Sequence, residues 1–284
     1  MKLGNSRRSS NVEDRRGAGP RLGGKGGIGL GTIVLALVAM YFGVDPSVVL
    51  QMAEQQQSAP ASSGGPIPAD DPQAQFVAAV LGETEDTWRE VFRTQTDGAY
   101  RDAKLVLFRG ATATACGTGQ SAMGPFYCSR DASVYLDLAF FEEMGRKLGA
   151  PGDFAQAYVI AHEIGHHVQN QLGTLDRVNR QRAQSAPALA NQLSVRLELQ
   201  ADCYAGVWAK HADSARGILE DGDIEEAMGA ASAVGDDRLQ REAQGYVVPD
   251  SFTHGSSAQR VKWFRRGLDG GNLRDCDTFS ASSL

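Results

Sequence analysis

A five-residue motif, HEIGH at residues 162–166, constrains the fold of this chain more than any other feature of its sequence. On a helix, side chains four residues apart lie one above the other, so His162 and His166 can reach a single point. The preceding residues, Tyr158 to Ala161, are apolar, which predicts a buried helix. Buried ionisable groups are costly unless a metal ion or polar partners satisfy them. The fold must therefore bring further polar groups to this helix.

A second pair of polar side chains with the same spacing lies in the run ELQAD at residues 198–202. Apolar residues surround this run, so its helix is also predicted to be buried, whereas two carboxylates on a solvated helix surface are the alternative. A catalytic zinc site uses three protein ligands and keeps one position open. We predict that His162, His166 and Glu198 bind Zn²⁺. Asp202 is predicted to accept the outer N–H of a ligating histidine.

The glutamate inside the motif has the position of a general base. Glu163 is rotated away from the two histidines, so it can hold a water without binding the metal. Zinc would activate that water and polarise a carbonyl, while Glu163 moves the proton to the leaving amine. An oxyanion donor is also needed. His254, in the loop after Pro249, is the predicted donor. Tyr135 and Tyr204 are alternatives, and a surface histidine is the other interpretation of His254.

The residues after the motif exclude the metzincin form of this site. That form needs Gly three residues after the second histidine and His three residues further on. Gln169 and Leu172 occupy those positions here. His167 points away from the ligand face and is interpreted as structural, and His211 is interpreted as a surface residue.

The N-terminal part of the chain has the composition of a membrane anchor. Residues 27–44 are uncharged and apolar, with a length near the short end of a bilayer span. Residues 1–26 contain seven Lys/Arg and two acidic side chains, and the positive-inside rule predicts that this basic tail is cytoplasmic. A cleaved secretory signal and a buried core helix are the alternatives. Residues 45–74 have linker composition. Because a single span follows a cytoplasmic tail, the domain at 75–284 is predicted to lie outside the cytoplasm, in the periplasm of a cell that has one.

Charge and cysteine content narrow the class of protein. The net charge is −6 despite the basic tail, so the remaining residues are strongly acidic and no nucleic acid is expected as a partner. The spacing of the four cysteines, with no CxxC pair, does not resemble a structural zinc site. Two disulfides or four buried thiols both fit the number, and a location outside the cytoplasm favours disulfides. The cysteines are Cys116, Cys128, Cys203 and Cys276.

Hydrophobic periodicity predicts an α+β domain that is mostly helical with a small sheet. The strand candidates are residues 104–109 and 133–138, with a loop at 111–124, and residues 134–138 are where an extended substrate could pair. Helices are predicted at residues 76–92, 139–148, 153–172, 176–184, 190–211, 223–244 and 256–268.

Together these segments resemble the bacterial family called putative neutral zinc metallopeptidases, from about residue 75 to 279. The matching runs are CG at 116–117, GPFYC at 124–128, VYLDL at 134–138, AHEIGHHVQ at 161–169, ELQADCYAGVW at 198–208, GDDR at 235–238, SFTHGSS at 251–257 and CDTF at 276–279. The resemblance implies a zincin-like domain with a gluzincin-like site, in which His162, His166 and Glu198 are the ligands and Glu163 is the base. It also implies an N-terminal membrane segment in many members.

The family resemblance leaves the pairing of the cysteines as a hypothesis. Cys116 and Cys128 flank one short loop, which a disulfide would stiffen. Cys203 lies on the predicted Glu198 helix, and Cys276 could attach the C-terminal segment to it.

The sequence therefore predicts a single-pass, membrane-anchored, zinc-dependent peptidase that acts on a peptide or protein. Two alternatives stay open: a zinc-stabilised binding or scaffold domain with little or no activity, and another zinc-dependent hydrolysis at the same site. Glu163 argues against the scaffold, because a structural zinc site needs no base. Protein partners and cleavage specificity are not readable from the sequence.

Overall fold

The computed structural model describes residues 1–17 and 64–284, which form a mostly helical α+β domain with a small sheet, as the sequence predicts. The strands are β1 (Val12–Asp14), β2 (Lys104–Phe108), β3 (Ala111–Thr114), β4 (Gly117–Gln120), β5 (Phe126–Cys128) and β6 (Ser133–Asp137). The helices are α1 (Pro72–Gln95), α2 (Ala139–Lys147), α3 (Asp153–Gln171), α4 (Thr174–Ala183), α5 (Pro187–Arg216), α6 (Asp223–Ala233), α7 (Asp236–Gln244) and α8 (Ser257–Gly270). Short 3₁₀ turns lie at Ser121–Met123, Pro249–Ser251 and Leu273–Cys276.

The main sheet has four strands in the order β1-β2-β6-β5. β1, β2 and β6 are parallel, and β5 runs antiparallel to β6 at the edge. β3 and β4 form a separate hairpin within residues 111–124, which the sequence predicts as a loop. The hairpin escapes prediction because its alanines, threonines and glycines do not alternate between apolar and polar residues. β6 is covered by a neighbour on both sides, so an extended substrate cannot pair with residues 134–138.

Residues 1–17 are part of the folded domain, although their composition predicts a separate tail. Val12 is buried and pairs with Leu105 of β2. Asp14 exchanges two backbone hydrogen bonds with Gly65, at 2.8 and 3.0 Å. The difference arises because net charge over residues 1–26 does not reveal that Arg7, Arg15 and Arg16 have carboxylate partners. The domain therefore begins well before residue 75.

The predicted apolar span at residues 27–44 lies outside the described residues, and so does most of the predicted linker. In the parts of the chain that the structure describes, there is no helix with the length and apolar character needed to cross a membrane.

The core is built where α3, α5 and α8 cross. A Cβ atom on Gly165 of α3 would lie 2.9 Å from the carbonyl oxygen of Ala201 on α5, so only glycine allows these helices to approach so closely. Trp88, Trp208 and Trp263 are fully buried around the crossing. The close approach brings the HEIGH motif against the carboxylates of α5.

Two disulfides join the pairs hypothesised from the sequence, Cys116–Cys128 and Cys203–Cys276. The first connects the β3–β4 hairpin to β5. The second connects α5 to the C-terminal 3₁₀ turn, and its Cys203 directly follows Asp202 in the sequence.

Most helix boundaries lie within a few residues of prediction. The helix predicted from residue 190 begins at Pro187, because the first helical residue needs no N–H donor. The helix predicted over 223–244 is two helices, α6 and α7, separated by Val234 and Gly235. This break places Asp236 at the start of α7, beside the site described next.

Candidate metal centre

The predicted ligands lie together at the crossing of α3 and α5. His162, His166 and Glu198 each offer one ligand atom, and these atoms all lie within 4.8 Å of one another. Nε2 of His162 is 3.2 Å from one Glu198 oxygen, and Nε2 of His166 is 3.5 Å from the other. Donor atoms at zinc distances from one tetrahedral ion are separated by about 3.3 Å. The three side chains therefore fit a zinc ion.

Each histidine is held by its other ring nitrogen. Nδ1 of His162 lies 2.8 Å from a carboxylate oxygen of Asp202, and Nδ1 of His166 lies 2.9 Å from the side-chain oxygen of Gln169. Both partners accept, because the amide nitrogen of Gln169 donates to the carbonyl of Leu197. Nδ1 therefore carries the proton in both rings, and both Nε2 lone pairs face Glu198. Asp202 occupies the predicted place, whereas Gln169 was not predicted.

A buried arginine completes the support of His162. Arg260 of α8 donates to both carboxylate oxygens of Asp202, at 2.8 Å each, and Tyr158 donates to the same carboxylate. Burial opposes the charge of Asp202, but the Arg260 guanidinium lowers the pKa of that carboxyl group to about 2. The sequence does hold a clue to Arg260, since it shares a helix face with the buried Trp263 and Phe264.

Glu163 lies beside the ligands without joining them. Its side chain is buried yet lines the same cleft as His162, His166 and Glu198. Burial raises the pKa of Glu163, while the neighbouring histidines oppose that rise. A carboxylate with this position can take a proton from a water in the cleft.

The cleft has a volume of about 780 Å³ and is open to solvent. One part of its wall is apolar and comes from α2, α3, α7 and the 3₁₀ turn before β5. These residues are Met123, Phe140, Leu148, Val159 and Leu239. Another part comes from α4 and α5 and is more polar, with Leu175, Asn179, Arg182 and Ser194. Phe126 and Tyr127 of the edge strand β5 also line it. Such a cleft can hold an extended chain across the metal ligands.

His254 also lines the cleft, as its predicted role requires. Its side chain is half exposed, and its Nδ1 lies 3.1 Å from Asp236. A second oxygen of Asp236 accepts the backbone N–H groups of Thr253, His254 and Gly255. The hydrogen bond to Asp236 raises the pKa of His254, and the charge of Glu198 adds to this effect against burial and Arg260. Asp236 was not predicted, because its partner lies on a different element.

The other candidate side chains lie elsewhere. The hydroxyl of Tyr135 donates to Asp131, and Tyr204 packs against Trp88, and neither residue lines the cleft. His211 contacts the carbonyl of Gly271 instead of lying free on the surface.

His167 agrees with its structural interpretation. Its ring lies between the hydroxyl of Tyr127, at 2.9 Å, and the carbonyl of Arg101, at 2.7 Å. This contact fixes the edge strand β5 against the helix that carries the motif.

Comparison with known proteins gives a consistent result. Residues 1–279 match the family described as "Putative neutral zinc metallopeptidase". The chain is 50% identical over 294 residues to the uncharacterized protein YpfJ of Escherichia coli K12, covering 99% of this chain and all of the relative. It is 41% identical over 259 residues to the uncharacterized protein Rv2575 of Mycobacterium tuberculosis H37Rv, covering 87% of this chain and 86% of the relative. No solved structure matches the chain significantly.

Proposed function

Because the chain belongs to the neutral zinc metallopeptidase family, we propose that it is a zinc-dependent peptidase that hydrolyses peptide bonds in the cleft. One observation carries this proposal: His162, His166 and Glu198 meet beside Glu163 at an open cleft. A structural zinc site is closed by four protein ligands, whereas this cluster offers three within the described residues. The open position is where a substrate carbonyl and a water would enter.

The chain's own residues supply the proton transfers. Zinc held by the three ligands would polarise the carbonyl and acidify a water. Glu163 takes the proton from the attacking water and delivers it to the nitrogen of the leaving amine. Asp202 and Gln169 keep the ligand rings in one tautomer, so the Nε2 lone pairs stay available.

His254 is proposed to stabilise the oxyanion that develops on the substrate carbonyl. Asp236 fixes Nδ1 of the ring, which leaves Nε2 to donate into the cleft when the imidazole is protonated. The raised pKa of His254 keeps this donor charged to higher pH than an ordinary histidine.

The substrate is proposed to be an extended peptide that lies along β5. This strand is at the edge of the sheet and lines the cleft, so its backbone can accept a further strand. The apolar wall, which includes Phe140, Leu148 and Val159, favours an apolar side chain close to the cleaved bond.

The catalytic domain is proposed to work outside the cytoplasm, attached to the membrane through the predicted apolar segment at residues 27–44. The two disulfides support this placement, because such bonds persist in oxidising compartments.

The proposed activity is tested by measuring zinc content and peptide hydrolysis of the purified full chain beside its Glu163→Gln variant. We expect one zinc per chain in both proteins, with cleavage of a peptide library lost only in the variant, because the ligands remain and the base is gone. Glu143→Gln is the matched control. Glu143 also lines the cleft but is exposed and paired with Lys147, so its variant should keep full activity.

Two results would contradict the proposal. Tight zinc binding without cleavage of any library peptide would favour the scaffold function. A Glu163→Gln protein that cleaves at the parent rate would remove the base from the mechanism.

A further inference from the structure

Within residues 1–17, the stretch from Arg7 to Asn11 docks on one face of helix α1. Ser9 and Val12 are buried, and the backbone N–H of Ser9 donates to the carbonyl of Ala78. The chain then enters the sheet as β1, next to β2. The contact is specific, because it combines strand pairing with side-chain hydrogen bonds.

A buried carboxylate on α1 depends on this docking. Glu85 is only 1% exposed. It accepts hydrogen bonds from the hydroxyl of Ser9 at 2.6 Å and the amide of Asn11 at 2.7 Å, and it pairs with Arg7. A buried charge that loses such partners strongly destabilises a fold. Glu85 therefore marks a surface that the N-terminal residues must cover.

A glycine in the middle of α1 gives independent support. Glycine is a poor residue for a helix interior. At Gly82, however, an added Cβ would lie 2.7 Å from the carbonyl oxygen of Arg7, so any side chain would collide with the N-terminal backbone. The glycine is explained by the segment that crosses it.

Three of the four arginines in residues 1–17 pair with carboxylates, and Arg8 donates to the carbonyl of Leu3. Arg7 pairs with Asp86, Arg15 with Glu13, and Arg16 with both Asp14 and Asp71. Charges that are satisfied in this way do not act as a free basic tail on the cytoplasmic side of a membrane.

We infer that residues 1–17 and the metal-bearing domain lie on the same side of any membrane. Asp14 and Gly65 are hydrogen-bonded to each other, so the two points that the intervening stretch must join lie side by side in the domain. A chain that crosses a bilayer between these points must cross it an even number of times. The apolar segment at 27–44 therefore does not separate the N-terminus from the catalytic cleft. This inference uses the fold alone and does not require peptidase activity.

The inference is tested by labelling introduced cysteines in spheroplasts of Escherichia coli that express the full chain. Ser10 and Ala188 are both exposed, one in the N-terminal segment and one on α5. Ser10→Cys and Ala188→Cys are treated with a membrane-impermeant maleimide before and after the membrane is opened with detergent. The parent chain gives the background, since the described residues hold no free cysteine.

We expect both cysteines to be labelled in intact spheroplasts. Labelling of both only after opening would keep the two sites on one side and would contradict the proposed location outside the cytoplasm. Labelling of one cysteine but not the other before opening would overturn the inference.

A second measurement tests the docking itself in the full chain. Gly82→Ala is expected to lower the Tm, because the new Cβ displaces the N-terminal backbone. Gly229→Ala in α6 is the control: nothing lies within 4 Å of its added Cβ, so the better helix former should leave the Tm unchanged or raise it. If Gly82→Ala raises the Tm as the control does, the segment is not docked and the inference fails.

Discussion

Arg260 supports the geometry of the proposed metal centre through Asp202, which holds the predicted ligand His162. Its guanidinium is buried and comes from α8, whereas His162 and Asp202 come from α3 and α5. The arginine forms two hydrogen bonds that aim the Asp202 carboxylate at the outer nitrogen of His162. The position of one ligand is therefore set by three helices.

Replacing Arg260 with methionine is expected to lower zinc affinity about 10- to 100-fold, the usual range for losing a partner of a ligating histidine. Asp202 would lose the hydrogen bonds that hold it against His162. Affinity is measured by competition with a chromophoric chelator. Arg265→Met, an exposed position on the same helix, is the control.

Arg260→Lys keeps the charge but not the paired hydrogen bonds, so its zinc affinity should fall between those of the parent and of Arg260→Met. A folded Arg260→Met protein with the parent's zinc affinity would contradict this role.

The cluster of predicted ligands can be read from the sequence because the spacing of its members is a local property of a helix. His162 and His166, like Glu198 and Asp202, are four residues apart, and any helix places such pairs on one face. Gln169 lies on the same helix as His166, whereas Asp236 and Arg260 act on residues that tertiary packing brings near them. Spacing alone does not show which carboxylate or ring each of them reaches.

At the scale of elements, the start of α7 organises the loop that carries His254. Asp236 is the first residue of this helix, and it binds three backbone N–H groups of the loop as well as the imidazole. The break between α6 and α7 therefore positions a side chain in the cleft.

Asp236→Asn is expected to move the alkaline limb of the pH–kcat profile to lower pH. Protonated His254 donates to the oxyanion and neutral His254 does not, so activity falls as pH rises through the pKa of this histidine. The Asp236 carboxylate raises that pKa, and the amide cannot do so to the same extent. The profile is measured with one peptide substrate from acid to alkaline pH.

His254→Asn is the control for this experiment, because it should remove the limb and lower kcat across the range. An Asp236→Asn profile that coincides with that of the parent would show that His254 is not the donor.

Long periodic helices and the five-residue strands β2 and β6 are predictable from the sequence, whereas the strands of three or four residues are not. The helices that carry the motif and Glu198 appear where apolar periodicity places them, with boundaries shifted by a few residues. The edge strand β5 has three residues, too few for any alternation to be read. The pairing of β3 with β4 is local, but the residues of these strands do not alternate between apolar and polar, and the disulfide that joins the hairpin to β5 cannot be read from a sequence window.

At the scale of the whole molecule, the two disulfides close loops of very different length. Cys203 and Cys276 are 73 residues apart, and Cys116 and Cys128 are 12 apart. A longer closed loop restricts the unfolded chain more. The Cys203–Cys276 bond also ties the C-terminal segment to the helix of Glu198.

Removing the disulfide that closes the longer loop, by Cys203→Ala with Cys276→Ala, is expected to lower the free energy of unfolding by about 4 kcal/mol. Cys116→Ala with Cys128→Ala should lower it by about 3 kcal/mol. Urea unfolding of the zinc-loaded full chain measures both values. An equal or larger loss from the short loop would contradict an entropic origin of the difference.

The N-terminal segment was beyond prediction, because its partners lie far along the chain. A window over residues 1–26 records only an excess of positive charge. The buried Glu85 and the glycine at position 82 of α1 are the matching features. Their role is apparent only from the contact between α1 and the N-terminal segment.

The pairing of β1 with β2 also sets an order of events during synthesis. Val12 leaves the ribosome first, but its partner Leu105 follows only after the apolar segment and all of α1 have been made. The first strand must therefore remain available, without its neighbour, while that segment emerges. The sheet can be completed only when the N-terminus and the domain are in the same compartment. In a chain whose N-terminus and domain lay on opposite sides of a membrane, β2 would lack its neighbour β1 and Glu85 would lack its N-terminal partners.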